Sequence, residues 1–493
     1  MKALTGDIVL LGGYRGSVLR DTAPPHRRLW VPVKVGLGLR KANLELGLHP
    51  DDELNAERTI FASGMLQNIG PVDMSKRLFK KLRECENARS GKLRVHDYGY
   101  DWRLSPVISS RKLIEFLETL PSNQARLPDE PGGVFVIAHS LGGIITRHAV
   151  NRRPELFSGV VYAGTPQRCI NILGPVRNND AVLINKDLLT PRVTLSLRST
   201  FVFLPEDGFC FIDKETKENY AVDFFDVNDW IRYRWSPCVD PPLPAASKRA
   251  SAFGSLFELP ASLSNLPLRD RSASEPKRGQ LPLRSPVGTV TQLPRSLKDR
   301  TLAPQMDSGS SHGLEPSDGN NQGAAPPPQP SSDTRSEVIA YLTRTLAETK
   351  AFRSELSHKP SYTEANTYPP LAVVYGRGTP TVHAARVASR DAIACADAYD
   401  DLAFRSGDGV VLAREAMLPP GYDVVRGGLV CTDRGHVTLL GDLGAVAKAI
   451  DAVIRGRRKG IGLGKMESRE RRGSLPTQMG KSQVVRREEA AQP

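Results

Sequence analysis

The sequence predicts an α/β protein, a mostly parallel sheet flanked by helices, on three observations. Short apolar runs alternate with amphipathic helical stretches through the first third of the chain. One of those runs, at 133–138, passes into a helix through the tight turn "AHSLGG". The same alternation returns after residue 333, beyond a segment with almost no bulky apolar side chain.

Taken in order, "DIVLL" at 7–11 is a strand, and 74–83 is a helix with Leu78, Phe79 and Leu82 on one face. A strand follows at 92–97, then a helix over 110–119 carrying Leu113, Ile114 and Leu117. The buried strand at 133–138, the helix after Ser140 and the strand from 158 complete the first part. After residue 333, Val338, Ile339, Leu342 and Leu346 mark one helical face, 371–375 is a strand led by prolines, and "GGLVCTD" is a short strand. The last helix turns Leu443, Val446, Ile450, Val453 and Ile454 inward.

Between Gln167 and Trp235 the alternation stops and aromatic residues concentrate, which predicts a compact cap. Its side chains form its own core, with some left to line a hydrophobic pocket. Residues 241–332 are rich in Pro, Gly, Ser and Asp and predict a long disordered linker. The expected division is therefore 1–166 for the first part of the core, 167–240 for the cap insertion, 241–332 for the linker, 333–455 for the second part of the core, and 456–493 for a disordered basic tail.

Composition narrows the functional class. Six cysteines without CxxC spacing argue against zinc and point to a reducing compartment, leaving room for one disulfide. No metal and no cofactor are expected. The start of the chain lacks a signal-peptide pattern, and no stretch approaches the roughly 20 apolar residues that cross a bilayer. An intracellular protein, soluble or peripheral to a membrane, is expected. The net charge is +13, and the tail after Ile454 supplies more than half of it with eleven Lys/Arg against four Glu. That tail reads first as a solvated extension and second as a contact for anionic membrane surfaces; no nucleic-acid partner is expected.

Chemistry centres on Ser140. Ala138 and Gly142 flank it two positions to either side, the G-x-S-x-G nucleophile elbow with alanine in first place. A serine hydroxyl needs a base, an acid to orient the base, and donors for the oxyanion. In an α/β-hydrolase the order is serine, acid, histidine. His358, His383 and His436 follow the linker, and His436 is favoured by its place in a polar loop entering the last helix. Asp408, in the turn "SGDGVV", is the expected acid, with Asp391, Asp397, Asp400, Asp401 and Asp433 as rivals. The oxyanion amides would come from Leu141 and from the loop "LLGGYRGS", where Gly13 permits close approach and Tyr14 is the donor. His139 reads as turn support.

Four stretches carry a resemblance: "IVLLGGYRGSVLRD" with Trp30 downstream, "YDWR" at Tyr100–Arg103, "AHSLGG", and "VVYGRGTPT" followed by "GDGVV". Together they resemble the lecithin:cholesterol acyltransferase family of α/β-hydrolases, with Gly12-Gly13 where that family usually has Pro-Gly. The resemblance implies an α/β-hydrolase fold and a lipid ester substrate. It makes Ser140 the nucleophile, Asp408 the acid and His436 the base, with oxyanion amides from Tyr14 and Leu141. It places Trp102 near the acyl pocket, although a structural tryptophan reads equally well. The implied activity is serine-dependent lipid ester hydrolysis or O-acyl transfer. Two other readings stay beside it: a catalytically inactive hydrolase-fold scaffold, and an esterase acting on small soluble esters.

Overall fold

The computed structural model describes residues 3–31, 34–35, 38–39, 43–124, 132–170, 173–174, 180–182, 185–246 and 334–464. Most of the expected linker and most of the basic tail lie outside the described residues. Six strands make the central sheet: β1 (Gly6–Leu11), β2 (Leu93–Tyr98), β3 (Val134–His139), β4 (Phe157–Ala163), β5 (Leu371–Gly376) and β6 (Val424–Thr432). Their spatial order is β6-β5-β4-β3-β1-β2, and every neighbouring pair is parallel. The helices that cover it are α1 (Lys76–Arg83), α2 (Pro106–Thr119), α3 (Leu141–Arg152) and α5 (Leu443–Arg458); α4 (Arg335–Ser354) belongs to the cap.

Burial on both faces explains the continuous apolar runs, because successive residues of a strand point to opposite sides. Val134, Val136 and Ala138 of β3 join Val9, Leu11, Val160 and Tyr162 beneath α2 and α3. Phe135 and Ile137 join Ile8, Leu10, Val161 and Ala163 on the other face, against Leu78, Phe79 and Leu82 of α1 and Val446, Ile450 and Val453 of α5. Each fully buried aliphatic side chain of this kind contributes about 1.5–3 kcal/mol relative to exposure.

The cap is assembled differently from the expected 167–240 block. Its sheet runs Asn219–Tyr220, Phe211–Asp213, Thr379–Val387, Leu402–Gly407, so half of its strands come from beyond the linker. A two- and a three-residue strand cannot hold together alone, and the long hairpin 379–407 completes them. Helix α4 also packs on the cap: Tyr341 Oη donates to Leu195 O at 2.8 Å, and its ring meets Phe201 edge-on. The interval 333–455 is thus shared between core and cap.

Two other boundaries move. Leu243 exchanges backbone hydrogen bonds with Ala394 and Ala396, and Ala246 N donates to Asp397 Oδ1, so the cap extends to residue 246. Helix α5 continues to Arg458, and Asn366 Nδ2 donates to the carbonyls of Gly460 and Gly464, both at 2.8 Å, holding the next turn. Among the described residues no helix is long and apolar enough to cross a membrane.

Candidate active site

The carboxyl ends of β1 and β3 lie side by side where the strand order reverses, the place where open parallel sheets bind ligands. β3 ends at His139, and Ser140 turns into α3 with φ 55° and ψ −123°. A left-handed φ on a serine costs about 1–3 kcal/mol and persists only where the surroundings enforce it. They do so here: Ser140 N donates to Ala163 O at 2.9 Å. The loop after β1 also presses on the turn. A Cβ on Gly142 would stand 2.4 Å from Gly12 O, and one on Gly13 would stand 2.5 Å from Ser140 Cβ. These two glycines let the β1 loop and the elbow touch.

Ser140 Oγ is 3.0 Å from His436 Nε2, and His436 Nδ1 is 2.8 Å from Asp408 Oδ2. The Asp408 carboxylate accepts a hydrogen bond from Nδ1–H, which leaves Nε2 free to accept from the serine hydroxyl. All three side chains are buried. Asp408 Oδ1 accepts the amides of Val410 (3.0 Å) and Val411 (2.7 Å). Burial alone would raise its carboxyl pKa, but the charge and hydrogen bond of His436 and the two amides outweigh that, so it lies below its ordinary value. His436 opens a buried 3₁₀ turn, His436–Gly441, rather than a polar loop, and its amide donates to Asp408 O at 2.8 Å.

The rivals sit elsewhere. Asp433 is exposed, Asp401 pairs with Arg386 and Lys214, and Asp397 holds the Ala246 amide. Asp391 and Asp400 are exposed. His383 stacks on Phe209, and His358 contacts Thr363.

The loop after β1 is held by the "YDWR" stretch. Tyr100 Oη lies 3.0 Å from both Gly12 O and Gly13 O, and Gly16 N donates to Gly13 O at 2.9 Å. Those bonds fix the Gly13–Tyr14 peptide plane, whose N–H points opposite to its carbonyl. The Tyr14 amide has no acceptor among the described residues. The Leu141 amide, at the first position of α3, has no intrahelical partner either. Tyr14's hydroxyl meets Thr200 Oγ1 of the cap at 2.9 Å.

Trp102 differs from the expected pocket residue. It is wholly buried, its indole N–H donates to Ser17 O at 3.2 Å, and it packs on Trp30 and Tyr14. It supports the wall behind the loop. Gly13 lies against Ser140 as part of the loop. Asp101 and Arg103 form a buried bidentate pair, and Arg103 O accepts the Arg198 amide of the cap.

Two contributions were not legible in the sequence. The Tyr100 hydroxyl's grip on the loop is one. The other is the contact His139 makes: its Nε2–H donates to His436 O at 2.9 Å, with the rings 4.7 Å apart. Burial and the nearby His436 charge push the His139 pKa down to about 3, so it is a neutral donor that steadies the histidine rather than a base. Among the described residues no group of three or more His, Cys, Asp or Glu side chains could hold a metal ion.

No family model matches the chain. Over 463 residues it is 36% identical to Uncharacterized protein YJR098C of Saccharomyces cerevisiae, an alignment that covers 93% of this chain and 63% of the yeast protein. The chain therefore spans less than two thirds of that relative's length.

Proposed function

We propose that the chain is an α/β-hydrolase of the lecithin:cholesterol acyltransferase type, a serine-dependent lipid ester hydrolase or O-acyltransferase. The observation that carries this reading is the hydrogen-bonded series Asp408–His436–Ser140 at the carboxyl edge of the sheet, beside two outward amides. The chain order serine, acid, histidine and the left-handed serine both suit it. The aromatic cap over that edge favours a hydrophobic acyl group.

In the proposed reaction Ser140 Oγ attacks the ester carbonyl carbon while its proton passes to His436 Nε2. The amides of Tyr14 and Leu141 take the charge that develops on the carbonyl oxygen. The tetrahedral adduct collapses, the C–O bond to the alcohol breaks, and His436 returns the proton to the departing oxygen. Water or an acceptor alcohol then attacks the acyl-serine, giving its proton to Nε2. Collapse of the second adduct frees the acid or new ester and restores the serine hydroxyl. Asp408 stays ionised and stabilises the imidazolium in both halves.

The test is incubation of the full chain and Ser140→Ala with a lipid extract, with and without added alcohols, read by mass spectrometry. The reading expects free fatty acid or newly esterified alcohol with the wild type alone. Identical lipid profiles for the two proteins would remove it.

A further inference from the structure

A second polar cluster lies about two helical turns from the elbow. Gly143, Arg147 and Asn151 are spaced four apart and share one stripe of α3. At one end, Thr165 Oγ1 lies so near Gly143 that a Cβ there would be 1.9 Å away. At the other, Asn151 is closed off: Oδ1 accepts the hydroxyls of Tyr368 (3.0 Å) and Tyr422 (2.8 Å), and Nδ2 donates to the carbonyls of Glu355 and Ser357.

The middle is not closed off. Arg147 is 2% exposed, and its one hydrogen bond to a described residue runs from Nη1 to Gln167 Oε1 at 3.2 Å. Among the described residues its Nε has no partner, and neither do Tyr162 Oη and Thr165 Oγ1; Tyr162 and Thr165 are as buried as the arginine. Arg147 feels the charge fields of Tyr422, Tyr162, Arg353 and Glu206. Arg353 brings a second guanidinium, spent on Val202 O and Glu206 Oε2, with its own Nε unpartnered. The cluster thus holds two cations and one carboxylate, and that carboxylate is half exposed.

A buried guanidinium does not shed its proton, and an uncompensated one is strongly unfavourable. Buried hydroxyls without partners are likewise rare. An oxyanion would satisfy them together, since it accepts several N–H and O–H donors and, unlike water, supplies the missing charge. We propose that Arg147, Tyr162 and Thr165 form a binding site for a phosphate or carboxylate group. Seven residues of helix separate Arg147 from Ser140, about 10 Å. An anionic group of a lipid ester could therefore occupy this site while its acyl carbonyl reaches Ser140. That last assignment rests on the proposed reaction; the oxyanion site does not.

The experiment uses the full chain, Arg147→Gln and Tyr162→Phe. Tyr162→Phe removes a hydroxyl that bonds to no described residue, so it keeps the test usable should Arg147→Gln fail to fold. In the first arm inorganic phosphate is titrated by calorimetry and by thermal unfolding. Phosphate should bind and raise the melting temperature of the wild type; affinity should fall at least about tenfold in Arg147→Gln and about threefold in Tyr162→Phe. In the second arm phosphatidic acid and diacylglycerol with the same acyl chains are compared in mixed micelles. The ratio of their KM values should shift at least about tenfold against the anionic ester in Arg147→Gln. Phosphate binding that the variants weaken, without that shift, supports the site and assigns it to a free anion. Turnover of neither ester, with phosphate binding as expected, removes the proposed reaction and leaves the site standing. A wild type that neither binds phosphate nor distinguishes the esters overturns the inference, as do variants with unchanged phosphate affinity and KM ratio.

Discussion

The central sheet carries a buried carboxylate that holds a histidine at each of its two ends. At its amino end Asp7 Oδ1 meets His96 Nε2 at 2.8 Å; beyond its carboxyl end Asp408 Oδ2 meets His436 Nδ1 at the same distance. What surrounds each pair separates them. Asp7 also takes Arg94 through Nε and Nη2 and the amide of Ser122, so every strong acceptor site is filled by a fixed donor. Among the described residues the ring of His96 goes on only to the edge of Phe116. The ring of His436 goes on to a serine held at positive φ. An aspartate–histidine contact is therefore no mark of catalysis. What distinguishes the second pair is an imidazole whose other nitrogen reaches a serine held at positive φ.

The largest expected effect separates the two carboxylates. Asp408→Asn should lower ester turnover by roughly four orders of magnitude, because the amide favours the wrong histidine tautomer. Asp7→Asn should leave turnover per folded molecule within a few-fold and destabilise the fold by about 1 kcal/mol, because the Arg94 left without its carboxylate is 42% exposed and solvated by water. Steady-state kinetics and denaturant titration of both variants check this; a reversed pattern would exchange the roles of the two ends.

A smaller effect is expected behind the oxyanion loop. Tyr100→Phe keeps the ring and removes the donor to Gly12 O and Gly13 O. Turnover should fall about tenfold with KM little changed, since the loss falls on transition-state charge. An unchanged kcat would show that Gly16 alone holds the loop.

The smallest effect concerns acid. Burial raises the Asp7 carboxyl, and the bonds from Arg94, His96 and Ser122 outweigh it, so the group lies well below the usual carboxylate range. A depressed pKa means that the folded state binds its proton less readily than the unfolded one. The stabilisation is then complete above the unfolded value of about 3.9 and is lost as pH falls toward the folded one. The stability gap between wild type and Asp7→Asn should be constant from pH 7 to about 5 and shrink below about 4. A gap that widens on acidification would contradict the ion-pair assignment.

The two ends were also unequally legible. The strands at 6–11 and 134–139 could be read because both faces are buried and the apolar run is unbroken. Ser140 could be read because a sharp turn requires small neighbours in sequence. Asp408 and His436 could be singled out only by a tight acidic turn and a place before the last helix, since five other aspartates and two other histidines shared their general setting. Distance hid the rest. Phe211–Asp213 is three residues long, and its partner strand starts at Thr379. The Tyr100 hydroxyl acts on carbonyls 87 and 88 residues away, and no local pattern encodes such a contact. His436 looked solvated because its neighbours are polar, yet the fold buries it beneath the elbow.

The central claim is that Ser140 is a nucleophile activated by His436 and Asp408. A fluorophosphonate probe tests it most directly, with the modified peptide identified by mass spectrometry. The account predicts covalent labelling at Ser140 in the wild type, at an unchanged rate in Asp7→Asn, much more slowly in Asp408→Asn, and not at all in Ser140→Ala. Folded wild-type protein that does not label, or Ser140→Ala that labels as well as the wild type, would contradict it.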